Sequence, residues 1–157
     1  MKIKLLTIGK TDSRPLQQLI DEYCKRLGFY IPFSMDIIPD IKNTKNLTTK
    51  QQKIAEGKEL LKKIEKSDAV ILLDENGKLY DSIQFSAFIQ KKMNSGLKKI
   101  VFVIGGPYGF SDDVYNRCNE KVSLSPMTFS HQMVRLFFTE QLYRSFTILR
   151  NEPYHHH

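Results

Sequence analysis

Tryptophan is absent, and only two of the 157 residues are cysteine. Cys24 and Cys118 show neither metal-ligand spacing nor a pairing logic, which excludes a disulfide scaffold and a cysteine-based zinc site. Cys24 falls on an apolar helical face and reads as core. No apolar run reaches the length that crosses a bilayer, and no signal peptide opens the chain. Low-complexity segments, internal repeats and linkers are missing too. Acidic side chains are in deficit, 17 against 24 lysines and arginines, giving a formal charge of +7. That excess suits a polyanionic partner such as nucleic acid, or a merely solvated basic surface. At 41% hydrophobic residues the chain is not disordered. The expectation is a cytoplasmic protein with one domain over residues 1–157, the last four residues forming a tail.

Apolar runs and helical spacings alternate along the chain. Strands are expected at 2–8, 33–38, 69–73, 100–104 and 121–124. Helices are expected after Ser13, from Thr48 or Thr49 to about 66, from Ser82, from Ser111 to about 118, and from His131 to about 150. Residues 40–46 read as a mobile, exposed loop, and Asp74-Glu75-Asn76-Gly77 as a turn that ends the third strand. The run at 69–73 is wholly apolar, as in a parallel strand covered on both faces. Five such alternations predict an α/β fold, a mostly parallel sheet with helices on both faces. The last helix is apolar nearly all round, from Met133 and Val134 to Ile148 and Leu149. Such a helix is buried on all sides, either within one chain or against a second copy.

The chemistry is expected in two loops that follow strands four and five. The first is Ile104-Gly105-Gly106-Pro107-Tyr108-Gly109-Phe110, and the second is Ser123-Leu124-Ser125-Pro126-Met127-Thr128-Phe129-Ser130-His131. Loops at the carboxyl ends of parallel strands are where open α/β sheets bind ligands, and glycine lets the backbone approach them closely. The second loop is apolar or hydroxylic where a loop is normally polar, which fits an adenine site or a buried crossover. Gly9-Lys10-Thr11 imitates the end of a phosphate-binding loop, but Lys4 stands where the earlier glycine is required. The dinucleotide fingerprint is absent as well. His131 starts a helix, where it can act as a neutral base, a hydrogen-bond partner or a cap. No metal is expected there, because no cysteine, aspartate or second histidine lies at ligand spacing. The terminal histidines at 155–157 read as metal ligands or a tag remnant. Arg135, Arg144 and Arg150 punctuate the last helix and could face phosphates or solvent.

Taken together, Leu73-Asp74, the two loops, Leu142-Tyr143-Arg144 and the closing Tyr154-His155 resemble the ribosomal RNA large subunit methyltransferase H family of the SPOUT superfamily. The opening Lys2-Ile3-Lys4-Leu5 and Gly9-Lys10 fit as well. The resemblance covers essentially the whole chain. It implies a deep trefoil knot at the C-terminal end, a homodimer joined through the knotted region, and S-adenosylmethionine held in the knot. Carried over by position, the cofactor contacts would be Leu73, Gly105, Leu124, Ser125, Pro126, Met127, Thr128 and Phe129. The implied reaction is methylation of N3 of a pseudouridine in the helix 69 loop of 23S rRNA, within the assembled 70S ribosome and without a metal. His155 and His131 would be the candidate bases, Tyr154 a group that stacks on or orients the target base, and Arg144 and Arg135 phosphate contacts. Two departures stand out: Ser130 replaces the family's usual proline, and His156 takes the place of a basic tail residue, leaving His156 and His157 as native or tag-derived. The competing readings are a non-enzymatic basic RNA-binding module and a nicotinamide oxidoreductase.

Overall fold

The computed structural model describes residues 1–156; the question of whether His157 is native lies outside the described residues. The chain runs β1 (Lys2–Ile8), α1 (Arg14–Leu27), β2 (Phe33–Ile38), α2 (Thr49–Lys62), β3 (Ala69–Leu79), α3 (Ser82–Asn94), β4 (Lys99–Ile104), α4 (Asp112–Arg117), β5 (Glu120–Ser123) and α5 (His131–Leu149). The strands form one sheet in the order β2-β1-β4-β3-β5, and every pairing is parallel. This is the α/β class expected from the sequence. All five strands therefore end at the same edge, and the loops that follow them are neighbours.

Alternation along the strands divides the core into two layers. Ile3, Leu5, Ile71, Ile100, Phe102 and Ile104 face Phe138, Leu142 and Phe146 of α5 and Phe85, Phe88 and Ile89 of α3. On the other face Leu6, Ile8, Val70, Leu72, Val101 and Val103 meet Leu60 of α2, Phe110, and Val114 of α4. Every residue of β4 is buried, as a central parallel strand requires.

Three expectations change. β3 does not end at Leu73. The strand continues to Leu79, and its register against β5 jumps from Leu73↔Val122 to Lys78↔Val122. The turn-forming residues do turn, but as a bulge: Asp74 Oδ1 accepts the Asn76 amide at 2.8 Å. Residues 40–46 are mostly exposed, as expected, and carry local structure, with Asn43 in the left-handed region (φ 59°) and a 3₁₀ turn at Thr44–Asn46. A reciprocal capping box between Thr48 and Gln51 then starts α2, which stops at Lys62. Finally, Arg135 does not emerge on a polar strip. It is fully buried, because the α5 face that carries it turns toward the end of β1.

The bulge yields a prediction. A Cβ at Gly77 would sit 2.5 Å from the carbonyl carbon of Val122, against backbone that cannot swing away. Gly77→Ala is expected to lower stability by about 1–3 kcal/mol, the usual cost of overpacking, read as an earlier urea midpoint.

Candidate active site

The carboxyl ends of β3, β4 and β5 open onto a cavity of about 480 Å³. Leu73, the last residue of β3 before its bulge, and Ile104, which closes β4, form the floor. One wall is the loop after β4, pinched by the Gly109 N–H donating to the Gly106 carbonyl at 3.2 Å. The facing wall is the loop after β5. There Ser123 Oγ donates to the Ser125 carbonyl (3.0 Å), and Ser125 Oγ accepts the Met127 amide (2.9 Å), so small hydroxyls hold the loop's shape. Ser130 caps α5 by accepting the Met133 amide at 3.2 Å, which presents His131 at the cavity edge on the helix's first turn.

Of the cofactor residues expected from the sequence, Leu73, Gly105, Leu124, Ser125, Met127, Thr128 and Phe129 line this cavity. Pro126 does not contribute to its lining. His131 does. Arg144, Tyr154 and His155 lie elsewhere, in a cluster toward the other end of α5. Arg144 Nε donates to Glu140 Oε1 at 3.0 Å, its Nη1 lies 3.3 Å from His155 Nδ1, and its guanidinium sits 4.6 Å from the Tyr154 ring centroid. The Tyr154 hydroxyl bonds Glu140 Oε1 (3.0 Å) and Tyr23 (3.1 Å). Burial first, then these bonds, push the Tyr154 phenol well above its ordinary range. The tail folds back here because Asn151 is left-handed (φ 54°) and Glu152 returns its amide to the Thr147 carbonyl. Thirteen residues separate His131 from Arg144, so the two sites stand about 20 Å apart along the helix.

Sequence reasoning missed several wall residues. Glu75 and Asn76 line the cavity because the β3 bulge turns them toward it. Tyr115 donates to Asp74 Oδ2 at 2.5 Å, and its phenol is raised by burial and then by that bond. Only the register shift could have revealed this, and it leaves no signature in composition. The ionisable lining is instructive as a set: Asp74, Glu75, Tyr108, Tyr115 and His131, with no lysine or arginine among the described residues. A chain of charge +7 keeps its permanent cations out of this cavity.

Residues 1–155 match the family described as "Predicted SPOUT methyltransferase". The chain is 67% identical over 156 residues to the ribosomal RNA large subunit methyltransferase H of Flavobacterium johnsoniae, and 67% identical to that of Flavobacterium psychrophilum. It is 64% identical to that of Christiangramia forsetii, and each alignment covers 99% of both chains. The chain belongs to the ribosomal RNA large subunit methyltransferase H family of SPOUT methyltransferases.

Behind the glycine loop lies an unusual prop. Glu56 of α2 is 3% exposed, and its Oε2 has no hydrogen-bond partner, while Oε1 accepts from Gln52 at 3.0 Å. A Cβ at Gly106 would fall 2.4 Å from that Oε2, so a larger residue there would have to displace the buried Glu56 carboxyl. Burial raises the Glu56 carboxyl above the usual range; the Gln52 bond opposes this and Asp40 adds to it. A carboxyl raised in the folded state favours folding while it is protonated. That contribution is whole below the unfolded value of about 4.3 and fades as pH rises through the folded one. Glu56→Gln should therefore remove a downward slope in stability above pH ~4.3. Thermal unfolding followed from acid to neutral pH should show the variant gaining on the parent chain as pH rises; parallel curves would refute this.

Proposed function

We propose that this chain transfers a methyl group from S-adenosylmethionine to N3 of a pseudouridine in the helix 69 loop of 23S rRNA, on the assembled 70S ribosome. Family membership supports the reaction class. The observation that carries the ligand is the lining of the cavity. Apolar Leu73, Ile104, Leu124 and Val134 suit a flat adenine, and hydroxyls and carboxylates suit a ribose. A wall with Asp74 and Glu75 and no permanent cation suits a positively charged sulfonium and disfavours the pyrophosphate of a nicotinamide cofactor. The cavity size falls in the range for a ligand of this kind. The reading takes residues 1–157 as one domain and includes the deep trefoil knot that the family resemblance implies.

The cofactor supplies an electrophilic methyl on sulfur. Pseudouridine N3 carries a proton at neutral pH, so the N3–CH₃ bond forms as the S–CH₃ bond breaks only if that proton passes to a base. A positioned base contributes typically 10²–10⁴-fold. His131 is at the cavity edge, and His155 is held beside Arg144. Arg144 is already neutralised by Glu140, so its role here is to orient Tyr154 and His155. About 20 Å of helix separates His131 from Arg144, which holds His155, so we take the two histidines to serve one base across two chains. A homodimer supplies that arrangement. Its interface would cover Leu79, Ile83, Met127, Phe129 and Met133, which the single chain leaves exposed near the cavity.

Labelled methyl transfer to unmodified 70S ribosomes, 50S subunits and naked 23S rRNA tests the reading. Label in the pseudouridine loop of the 70S sample is expected; label in none would leave a basic RNA-binding module as the better account. His131→Ala and His155→Ala are each expected to lower turnover by about 10²–10⁴-fold if each is the proton acceptor or holds it. Mixing the two variants should recover activity, because one mixed dimer rebuilds an intact site. Full activity of both single variants would remove the histidines from the mechanism.

A further inference from the structure

We propose that the carboxyl edge beside the cavity, formed by the loops after β1 and β2 and the first turn of α2, is a phosphate-binding rim that seats the backbone of a folded RNA. The inference rests on the proposed rRNA substrate and adds the surface that grips it. Lys10, Arg14, Lys42, Lys45 and Lys50 are all exposed there, and among the described residues none pairs with a carboxylate. The opposite edge is mixed: Lys63, Lys66 and Lys98 are exposed there without a carboxylate partner among the described residues, but other cations there are engaged. Lys62 is bound to Glu59, Lys92 to Glu120, and Lys99 to Glu65 and Asp68, while the Arg117 guanidinium is spent on backbone carbonyls.

The carboxylates of the rim are outnumbered by its cations. Glu56 is buried. Asp12 and Asp40 both act on the buried Arg135 guanidinium, and Asp40 lies against Gly9, where a Cβ would be 2.6 Å from its Oδ1. Five exposed cations thus stand beside two exposed carboxylates, Asp12 and Asp40, an excess of positive charge at the rim.

The rim is also shaped and anchored. The 3₁₀ turn, left-handed Asn43 and the Thr48 capping box fix Lys42, Lys45 and Lys50 on ordered backbone. Gln132 holds the β1 loop by donating to the Lys10 carbonyl (3.1 Å) and accepting the Asp12 amide (3.2 Å). Gln132 adjoins His131, so these bonds tie the β1 loop of the rim to the cavity edge. Parallel strands are about 4.8 Å apart, and β2 is two strands from β4, which places the rim about 10 Å from the cavity floor. That is within a few nucleotides' reach.

Its composition favours backbone over bases and RNA over a lipid surface. Exposed Asn43, Asn46, Thr49 and Gln51 add amide and hydroxyl groups that bind phosphate and ribose oxygens. Residues 39–58 contain no aromatic side chain to stack on a base or to enter a bilayer. The rim therefore positions the substrate and leaves recognition of the target base to the cavity.

The test compares Lys42→Ala/Lys45→Ala/Lys50→Ala with a charge-matched control, Lys63→Ala/Lys66→Ala/Lys98→Ala, exposed lysines from the opposite edge. Binding to 70S ribosomes is measured across salt concentration, and S-adenosylmethionine affinity by calorimetry. The rim variant should lose about 2–3 from the slope of log affinity against log salt and bind at least about tenfold more weakly at low salt. Its cofactor affinity should be unchanged, which also shows that it folds. A rim variant equal to the parent chain, or a control weakened as much, would overturn the rim. A parent chain with no salt-dependent ribosome binding would overturn the rRNA reading and the rim with it.

Discussion

A guanidinium removed from water must find oxygen atoms for its N–H groups, and Arg135 does so at the junction on which the functional edge depends. Its Nη2 donates to the Ile8 carbonyl at 2.7 Å, its Nη1 to Thr11 Oγ1 at 3.2 Å, and its Nε to the His131 carbonyl at 3.3 Å. Burial lowers its pKa, and the fields of Asp12 and Asp40 counter that cost. One side chain thereby ties the end of β1, the loop that follows it and the first turn of α5. Removing it would take a donor from the Ile8 carbonyl and from Thr11 Oγ1 and leave the start of α5 without its tie to β1.

From that anchor the long helix runs between two chemically distinct clusters. Its N-terminal end borders a cavity of strand ends and small residues. Toward its C-terminal end it carries an aromatic and ionic cluster, in which Tyr143 packs edge-on against Tyr154 (4.8 Å between centroids) and Glu140 gathers Arg144 and Tyr154. The helix accommodates polar residues between these ends by bonding them to its own carbonyls, as Thr139, Ser145 and Thr147 do. Met133 stays exposed, while Phe137 and Leu136 are only half-buried. A helix so apolar, left partly open in one chain, is the physical basis of the proposed dimer.

Charge is divided as sharply as shape. The cavity walls hold carboxylates, phenols and one imidazole, whereas the neighbouring strand ends lead into exposed lysines. Such a division lets one edge of the sheet attract a polyanion while about 10 Å away it offers a cationic small molecule a site without permanent cations.

Much of this was legible in the amino-acid order. Five apolar runs, with helical spacing between them, determined the α/β class, since parallel strands must be covered on both faces. The loops at 104–110 and 123–131 stood out because glycine, serine and apolar residues occupied places where loops are usually polar. Tertiary structure decided the rest. The strand order and the β3 bulge brought Glu75, Asn76 and Tyr115 to the cavity, because pairing register depends on partners far away in sequence. Arg135 was read as a surface cation, since a helical arginine among apolar residues cannot disclose which face will meet the end of β1. The grouping of Tyr154 and His155 with Arg144 followed from a left-handed turn at Asn151 and from contacts with α1, which only the folded chain brings within reach.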